Sequence, residues 1–421
     1  MSNNNDPTPP KNSAELIEEA IQTVSDWGRR RGLTKKMVEE NIDAADEDGN
    51  TFLMNAAAKG NTKVVEALII LDADVNVQRK DGDTALILTA DKHNPTTINA
   101  LLKARGIDVN KKGRDGFTVL MTAAFYGYPD IIKLLLKVPG IEINSKNDSG
   151  ATALIGASEA EHGAAEVIKA LLINKNIDVD AKDNDGYTAL IHAAKNGHSD
   201  IVKALLVKRG IDVNAKDKNG ETALMKAAFD FWPDIVKMLV DNTKINVNLK
   251  DNNGETALIK AAYSRYGDDD VIKALLINET IDVDAKDKEG YTALIHAAKN
   301  GHSDIVKALV VKRGIDVNAK DKNGETALMK AAYNGEKDII QLLLAIIRID
   351  VDAEATDGPH REKTALDIAK QKGNGDIIDL IEEHIKKHRI PTTAPAAGGY
   401  RKKLSRKLKT SLRRKNRTYK R

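Results

Sequence analysis

The chain contains no cysteine among its 421 residues. That excludes a disulfide framework, a thiol nucleophile and a thiolate metal site, and it fits a reducing compartment. Aromatic residues make up only 4%, as expected of a core in which helices meet through small side chains. No apolar run approaches the ~18 residues that a membrane-spanning helix needs. Met1 to Pro10 has neither a basic n-region nor an apolar h-region, so no secretory signal is expected. The sequons at Asn147, Asn278 and Asn416 are then without expected consequence. Phosphate-loop, nucleophile-elbow and paired-histidine zinc motifs are also missing from the sequence. Asp183-Asn184-Asp185-Gly186 superficially resembles a calcium loop, but the first ligand position falls on Ala181 and the twelfth on His192, where a bidentate Glu belongs. No catalytic residue, metal ligand or cofactor site is expected, and the chain is read as a non-enzyme.

What is present is repetition. Asp217 to Ala228 reads D-K-N-G-E-T-A-L-M-K-A-A, and variants recur along almost the whole chain. The motif Thr falls at Thr51, Thr84, Thr118, Thr152, Thr188, Thr222, Thr256, Thr292, Thr326 and Thr364. Successive gaps are 33 to 38 residues, mostly 34. A near-fixed period of that size predicts a solenoid of stacked units. Within one unit, Asp217 to Gly220 is a turn signal, with Asp and Asn bonding locally and Gly supplying positive φ. Thr222 can cap a helix whose apolar stripe is Ala223, Leu224, Ala227 and Ala228. Pro233 breaks that helix and suits the first turn of the next, with Ile235, Val236, Met238 and Leu239 as its stripe. Ile245 to Asn248 then reads as a short extended exit.

These residues resemble the ankyrin-repeat family. The family's D-x-x-G-x-T-P-L-H-x-A-A pattern matches D-x-x-G-x-T-A-L-[IM]-x-A-A here, and its G-A-D-V-N-A-K-D exit matches Gly210 to Asp217. The similarity covers roughly residues 43–388 in ten copies. Two positions depart from the family: the Pro after Thr is Ala in most copies, and the His three after Thr is Ile or Met in most. The resemblance implies an all-α repeat solenoid, an ankyrin-repeat array of about ten helix-turn-helix units with short extended turns. It also implies protein binding along a concave face made of turn tips and first-helix ends.

The chain divides, by this reading, into a polar N-terminus at 1–12, capping helices at 13–42, the array at 43–388, a Pro/Gly linker at 389–400 and a basic tail at 401–421. Ser13 can cap a helix with Leu16, Ile17, Ala20, Ile21, Val24 and Trp27 on one face. Two repeats are irregular: Ala90 to Pro95 lacks the usual Gly between helices, and Glu159 to Ala164 is lengthened. Gly186–Ala228 and Gly290–Ala332 are identical except at Leu206 and Val310, as if three repeats had been copied together.

Position by position, the expected binding slots are Phe117, Tyr187 and Tyr291 after the turn Gly, and Phe125, Tyr126, Phe229, Tyr263 and Tyr333 after the Ala-Ala pair, with Trp232 beside them. Rings in exposed slots anchor interfaces, or they fold back as packing against the next helix. Lys195, Lys299, Glu221, Glu255 and Glu325 make the surface mixed, which suits a protein or peptide. His192, His296, His198 and His302 are read as structural.

The tail is the second candidate. Residues 401–421 hold twelve Lys/Arg and no acid, and removing them leaves 53 basic against 62 acidic residues, a net of −9. Arg401, Lys402, Lys403, Arg406, Lys407, Lys409, Arg413, Arg414 and Lys415 surround Leu404, Leu408 and Leu412 at helical spacing. Nucleic acid or nuclear import, an anionic membrane, or mere solubility are the open readings, and the alternative function is nucleic-acid or anionic-membrane binding through this tail with the repeats as its spacer. The expectation is a monomeric, cytoplasmic or nuclear scaffold whose tail localises it.

Overall fold

The computed structural model describes residues 13–28, 36, 40–160, 164–264 and 269–388. The expected tail site at 401–421, the linker and the polar N-terminus lie outside the described residues. The described chain forms ten consecutive helix pairs preceded by the helix Ser13–Gly28. No strand occurs among the described residues, which contain only the isolated bridges Ala45–Thr51 and Ala355–Arg361.

The unit is built by local chemistry. In repeat six, Oδ1 of Asp217 accepts the backbone N–H groups of Asn219 and Glu221, closing the turn. Gly220 completes it at φ +76, and an added Cβ there would meet the next turn at Asn252. Thr222 caps the helix Ala223–Phe229 by accepting from the Met225 N–H at 3.3 Å. The same Thr-to-backbone cap recurs at every motif Thr from Thr51 to Thr364. Losing one such cap costs about 0.5–2 kcal/mol. Pro233 stands at the first position of the helix Pro233–Val240, where its missing N–H has no partner to lose. Where a repeat lacks the inter-helix Gly, another residue takes the left-handed backbone: His93 in repeat two at φ 53 and Phe231 in repeat six at φ 63.

First helices stack on first helices and second helices on second helices, giving two layers with one continuous core. The Ala-Ala pairs, such as Ala227 and Ala228, are fully buried and let neighbouring first helices approach closely. Leu205, Leu239, Leu275 and Leu309 fill the space between layers, each worth about 1.5–3 kcal/mol in burial. The helix Ser13–Gly28 lies on the second helix of repeat one, with Ala20 and Val24 joining the core. At the other end, the long helix Gly375–His388 buries Ile377 and Ile381 and exposes Glu383, Lys386 and Lys387.

Polar ladders stitch adjacent repeats. The exit expected as extended turns once, at Val247–Asn248 in repeat six, and polar side chains hold it. Asn214 accepts the Asn246 N–H and donates to the Lys244 carbonyl, both at 2.8 Å. Asn76, Asn110, Asn248 and Asn318 bridge their own next repeats in the same two-way manner. At Asp180 and Asp284 the side chain can only accept. A parallel ladder runs through lysines: Lys182 donates to the Lys216 carbonyl, Lys216 to Lys250, Lys250 to Lys286 and Lys286 to Lys320, at 2.7–2.8 Å.

Candidate functional site

Two positions in each repeat face one another across the capping Thr. One is the residue just before it. The other lies four residues after it, one turn into the first helix, where a side chain leans back toward the helix N-terminus. In repeats five to nine these pairs are Tyr187/His192, Glu221/Lys226, Glu255/Lys260, Tyr291/His296 and Glu325/Lys330. The basic member always reaches back to the turn Asp of its own repeat: His192 to Asp183 at 2.7 Å, Lys226 to Asp217 at 3.1 Å, Lys260 to Asp251 at 2.8 Å, His296 to Asp287 at 2.8 Å and Lys330 to Asp321 at 2.9 Å.

The pairs join into a continuous strip. Lys260 also bonds Glu255 at 2.9 Å and, across the repeat boundary, Glu221 at 2.7 Å, while Lys226 bonds Glu221 from its own side. Lys330 bonds Glu325, whose other oxygen meets His360 Nδ1 at 2.5 Å. Burial opposes the charge on Lys260, yet the Asp251, Glu221 and Glu255 carboxylates outweigh it and hold its ammonium pKa above the ordinary lysine value. The same balance raises Lys226 and Lys330. Burial would push Glu221 up, but Lys226 and Lys260 hold it below the ordinary value. His296 goes the other way: burial lowers its pKa despite the Asp287 bond. Lysines held this firmly protonated are poor nucleophiles and bases, and the strip forms a charge spine that ties neighbouring repeats together.

The expected aromatic slots divide. Phe125, Tyr126, Phe229 and Tyr333 are 42%, 44%, 41% and 40% exposed, and Trp232 is somewhat less so. Phe117, Tyr187, Tyr263 and Tyr291 are half-buried against the core. Tyr187 meets the His192 ring edge-on at 5.0 Å and lies beneath Lys195 and Lys226 at 5.3 and 5.1 Å. Tyr291 repeats this with His296, Lys299 and Lys330. Tyr263 donates its hydroxyl to Glu255 at 2.8 Å, which with burial raises its pKa. Trp232 donates its indole N–H to the Lys195 carbonyl at 3.0 Å and covers Gly197, so it staples repeat six to repeat five. The densest aromatic patch is in repeats two and three: Phe117, Phe125, Tyr126 and Tyr128 run ring to ring, and His93 stacks on Tyr128 at 4.0 Å.

In repeats two to four the fourth position is Leu88, Thr122 and Gly156, and cavities open beside it. One, of about 310 Å³, lies between Arg79, Asp91, Arg114, Phe125 and Tyr126. The next, of about 360 Å³, lies between Phe117, Phe125, Asp115, Asp148, Gly156 and Glu159. Sequence reasoning missed this pairing. The signal was present as co-variation between the chain's own repeats, Tyr with His and Glu with Lys, at a fixed five-residue separation. It also missed exposed Ile173, Val207, Ile277 and Val311, which recur at one slot after the second helix and leave an open groove between repeats seven and eight.

Among the described residues no group of His, Asp and Glu could hold a metal ion, and no helix is long and apolar enough to cross a membrane. A family model described as ankyrin repeats (3 copies) matches residues 26–113, 53–147, 120–217, 211–287, 248–321, 264–357 and 313–390. M-phase phosphoprotein 8 of Rattus norvegicus is 34% identical over 85 residues, which is 20% of this chain and 10% of that protein. The Homo sapiens protein of the same name is 43% identical over 60 residues, 14% of this chain and 7% of that one. The chain thus matches about a tenth or less of the length of these relatives. The crystal structure of the ankyrin repeat domain of Bcl-3, described as a unique member of the IkappaB protein family, is 29% identical, with a TM-score of 0.48, and covers 54% of this chain and 99% of its own. With family matches that together run from residue 26 to residue 390, this chain belongs to the ankyrin-repeat family.

Proposed function

We propose that the chain is a protein-binding scaffold that captures its partner on the face formed by the turns and the exposed ends of the first helices. Ankyrin repeats generally mediate protein–protein interaction, and the family and fold are typically non-enzymatic. The observation that carries the reading is where the exposed rings lie. In a chain with only 4% aromatics, Phe125, Phe229 and Tyr333 stand open to solvent at one repeat slot, at the end of the first helix, with exposed Tyr126 beside Phe125. Large, rigid rings of this kind are preferred anchors because they bury much area for little lost side-chain freedom. Beside Phe229 and Tyr333 the charge spine of repeats five to nine ties neighbouring repeats together, so that part of the surface is presented ready-shaped.

The test is affinity capture from the source cell with the full chain and with a Phe125→Ala, Phe229→Ala, Tyr333→Ala variant of unchanged helicity. Loss of one defined partner is expected. Undiminished capture would move the interface elsewhere, with the groove at Ile277 and Val311 as the next surface to mutate.

For the tail we keep the localising role. Twelve basic residues at 401–421 against a net −9 elsewhere should favour polyanions or anionic lipid, weakening with salt. Comparing retention of the full chain and a chain ending at residue 400 on heparin, RNA and anionic vesicles tests it, and equal retention on all three would remove the role.

A further inference from the structure

The strip of facing residues supplies its own template for what the empty stretch would accept. In repeat six the fourth-position Lys226 lies 5.1 Å from the centroid of Tyr187, which belongs to the repeat before. Its ammonium is met by Asp217 and Glu221. In repeat nine Lys330 does the same over Tyr291 at 5.0 Å, met by Asp321 and Glu325. The slot is therefore a place where a cation sits between an aromatic ring and carboxylates.

Repeat four keeps the ring but not the cation, and Asn147 and Ala151 stand where repeat six has Asp217 and Glu221, so the carboxylates around its slot come from other positions. Its fourth-position residue is Gly156, and a Cβ built there meets nothing within 4 Å. The ring of the preceding repeat is Phe117, in the position that Tyr187 and Tyr291 hold for the filled slots. The cavity of about 360 Å³ that results is lined by the carboxylates of Asp115, Asp148 and Glu159 and by no lysine or arginine. Among the described residues Glu159 meets His192 at 3.1 Å, and no ion pair is formed by Asp115 or Asp148. Phe125, whose edge-on contact with Phe117 spans 6.1 Å between centroids, belongs both to this cavity and to the exposed ring row, so the cavity opens onto that same face.

We propose that this cavity receives a lysine or arginine side chain of the protein partner, its aliphatic stem against Phe117 and Phe125 and its cation among Asp115, Asp148 and Glu159. The occupant would bring a cation against the ring as Lys226 and Lys330 do, with carboxylates at different positions around it, an arrangement that cation–π attraction and ion pairing both favour. The inference rests on the face proposed above and names the chemistry it selects.

Met121 lines the cavity and is one of only seven methionines, so its methyl group is a clean reporter. The full chain, labelled with 13C at methionine methyls and assigned with Met121→Leu, is titrated with four acetylated, amidated heptapeptides. They differ only at the central residue: arginine, lysine, citrulline or norleucine. The arginine and lysine peptides are expected to shift the Met121 methyl saturably, less so in high salt, and the two neutral peptides to leave it in place. Gly156→Lys fills the slot with a lysine at the position that Lys226 and Lys330 hold. It should abolish the response without lowering the melting temperature, since Lys is the better helix residue. No shift in the full chain, equal response to citrulline, or a response that survives Gly156→Lys overturns the proposal. A silent full chain does so whether the cavity stands empty or the chain's own basic tail already fills it. If the peptides fail while the ring-row variant still loses its partner, only this inference falls. If the peptides bind while that variant keeps its partner, only the reading of the face falls.

Discussion

Replacing Lys260 by Met should be among the most damaging single changes in the array. Lys260 is 5% exposed and lies within 2.7–2.9 Å of Glu221, Asp251 and Glu255. Met keeps the apolar stem but leaves three carboxylates facing one another, of which Asp251 and Glu255 lose the lysine of their own repeat. Breaking a buried pair by removing one partner costs about 3–5 kcal/mol. Because Lys226 still reaches Glu221, the lower end, about 3 kcal/mol, is expected. The pH dependence fixes the cause. In the natural chain burial opposes the charges on Asp251 and Glu221, but the lysines hold both below their ordinary values. That stabilisation is present above the unfolded carboxylate pKa and lost as pH falls through the folded one. In the variant the crowded carboxylates would titrate higher than in the unfolded chain, so the deficit should shrink between pH ~7 and pH ~4.5. Urea unfolding followed at Trp232, in the adjacent repeat and in a Trp27→Phe background, reports this region locally, which an array whose repeats pack on their neighbours requires. A loss below about 1 kcal/mol, the level of a surface pair, or a loss independent of pH, would refute the reasoning.

Other outcomes follow from the same contacts. Asp180→Asn and Asp284→Asn should each stabilise by about 0.5–1.5 kcal/mol, because Asn at this step donates to the next repeat where Asp cannot. Burial pushes both Asp pKa values up, so the gain in urea midpoint should be largest at neutral pH and fade as acid protonates the natural carboxyls. Gly197→Ala would place a methyl 2.6 Å from the Trp232 ring at a φ of +78, costing about 1–3 kcal/mol and shifting Trp232 emission. Gly373→Ala, at φ +71 with open space around it, should cost less and leave that emission unchanged. Burial lowers the pKa of His296 and of His302. The unfolded chain therefore takes up those protons first, and stability should fall as pH drops below ~6.5. In melts across that range His296→Gln should flatten the decline in part.

Much of the architecture was legible because each repeat states it in local chemistry. Thr222 before Ala223-Leu224, Pro233 at a helix start and Gly220 in a turn act within a few residues of themselves. The fate of the rings was not legible in the same way. Phe229, Tyr263 and Tyr333 share one slot, yet Tyr263 is drawn in by Glu255 while Phe229 and Tyr333 stay open. Tyr187 is covered by Lys226, 39 residues away, and Tyr291 by Lys330. Those outcomes depend on what the neighbouring repeat carries, which only a repeat-against-repeat comparison brings together. Of the histidines read as structural, His192 and His296 each bond the turn Asp nine residues upstream, a link that the family motif does not contain.

The copied block has one more implication. Tyr187 with His192, Lys195 and Lys226 recurs almost atom for atom as Tyr291 with His296, Lys299 and Lys330. Just past the copied block, Phe229 and Tyr333 repeat one exposed ring slot at a fixed separation, about 30 Å at roughly ten Å per stacked pair. On the face proposed above, a ligand bearing two like epitopes at that spacing would bind the second ring intramolecularly, and avidity would rise by about 10²–10⁴ over a single contact. Lengthening the rod by duplication can therefore change valency without inventing a new surface.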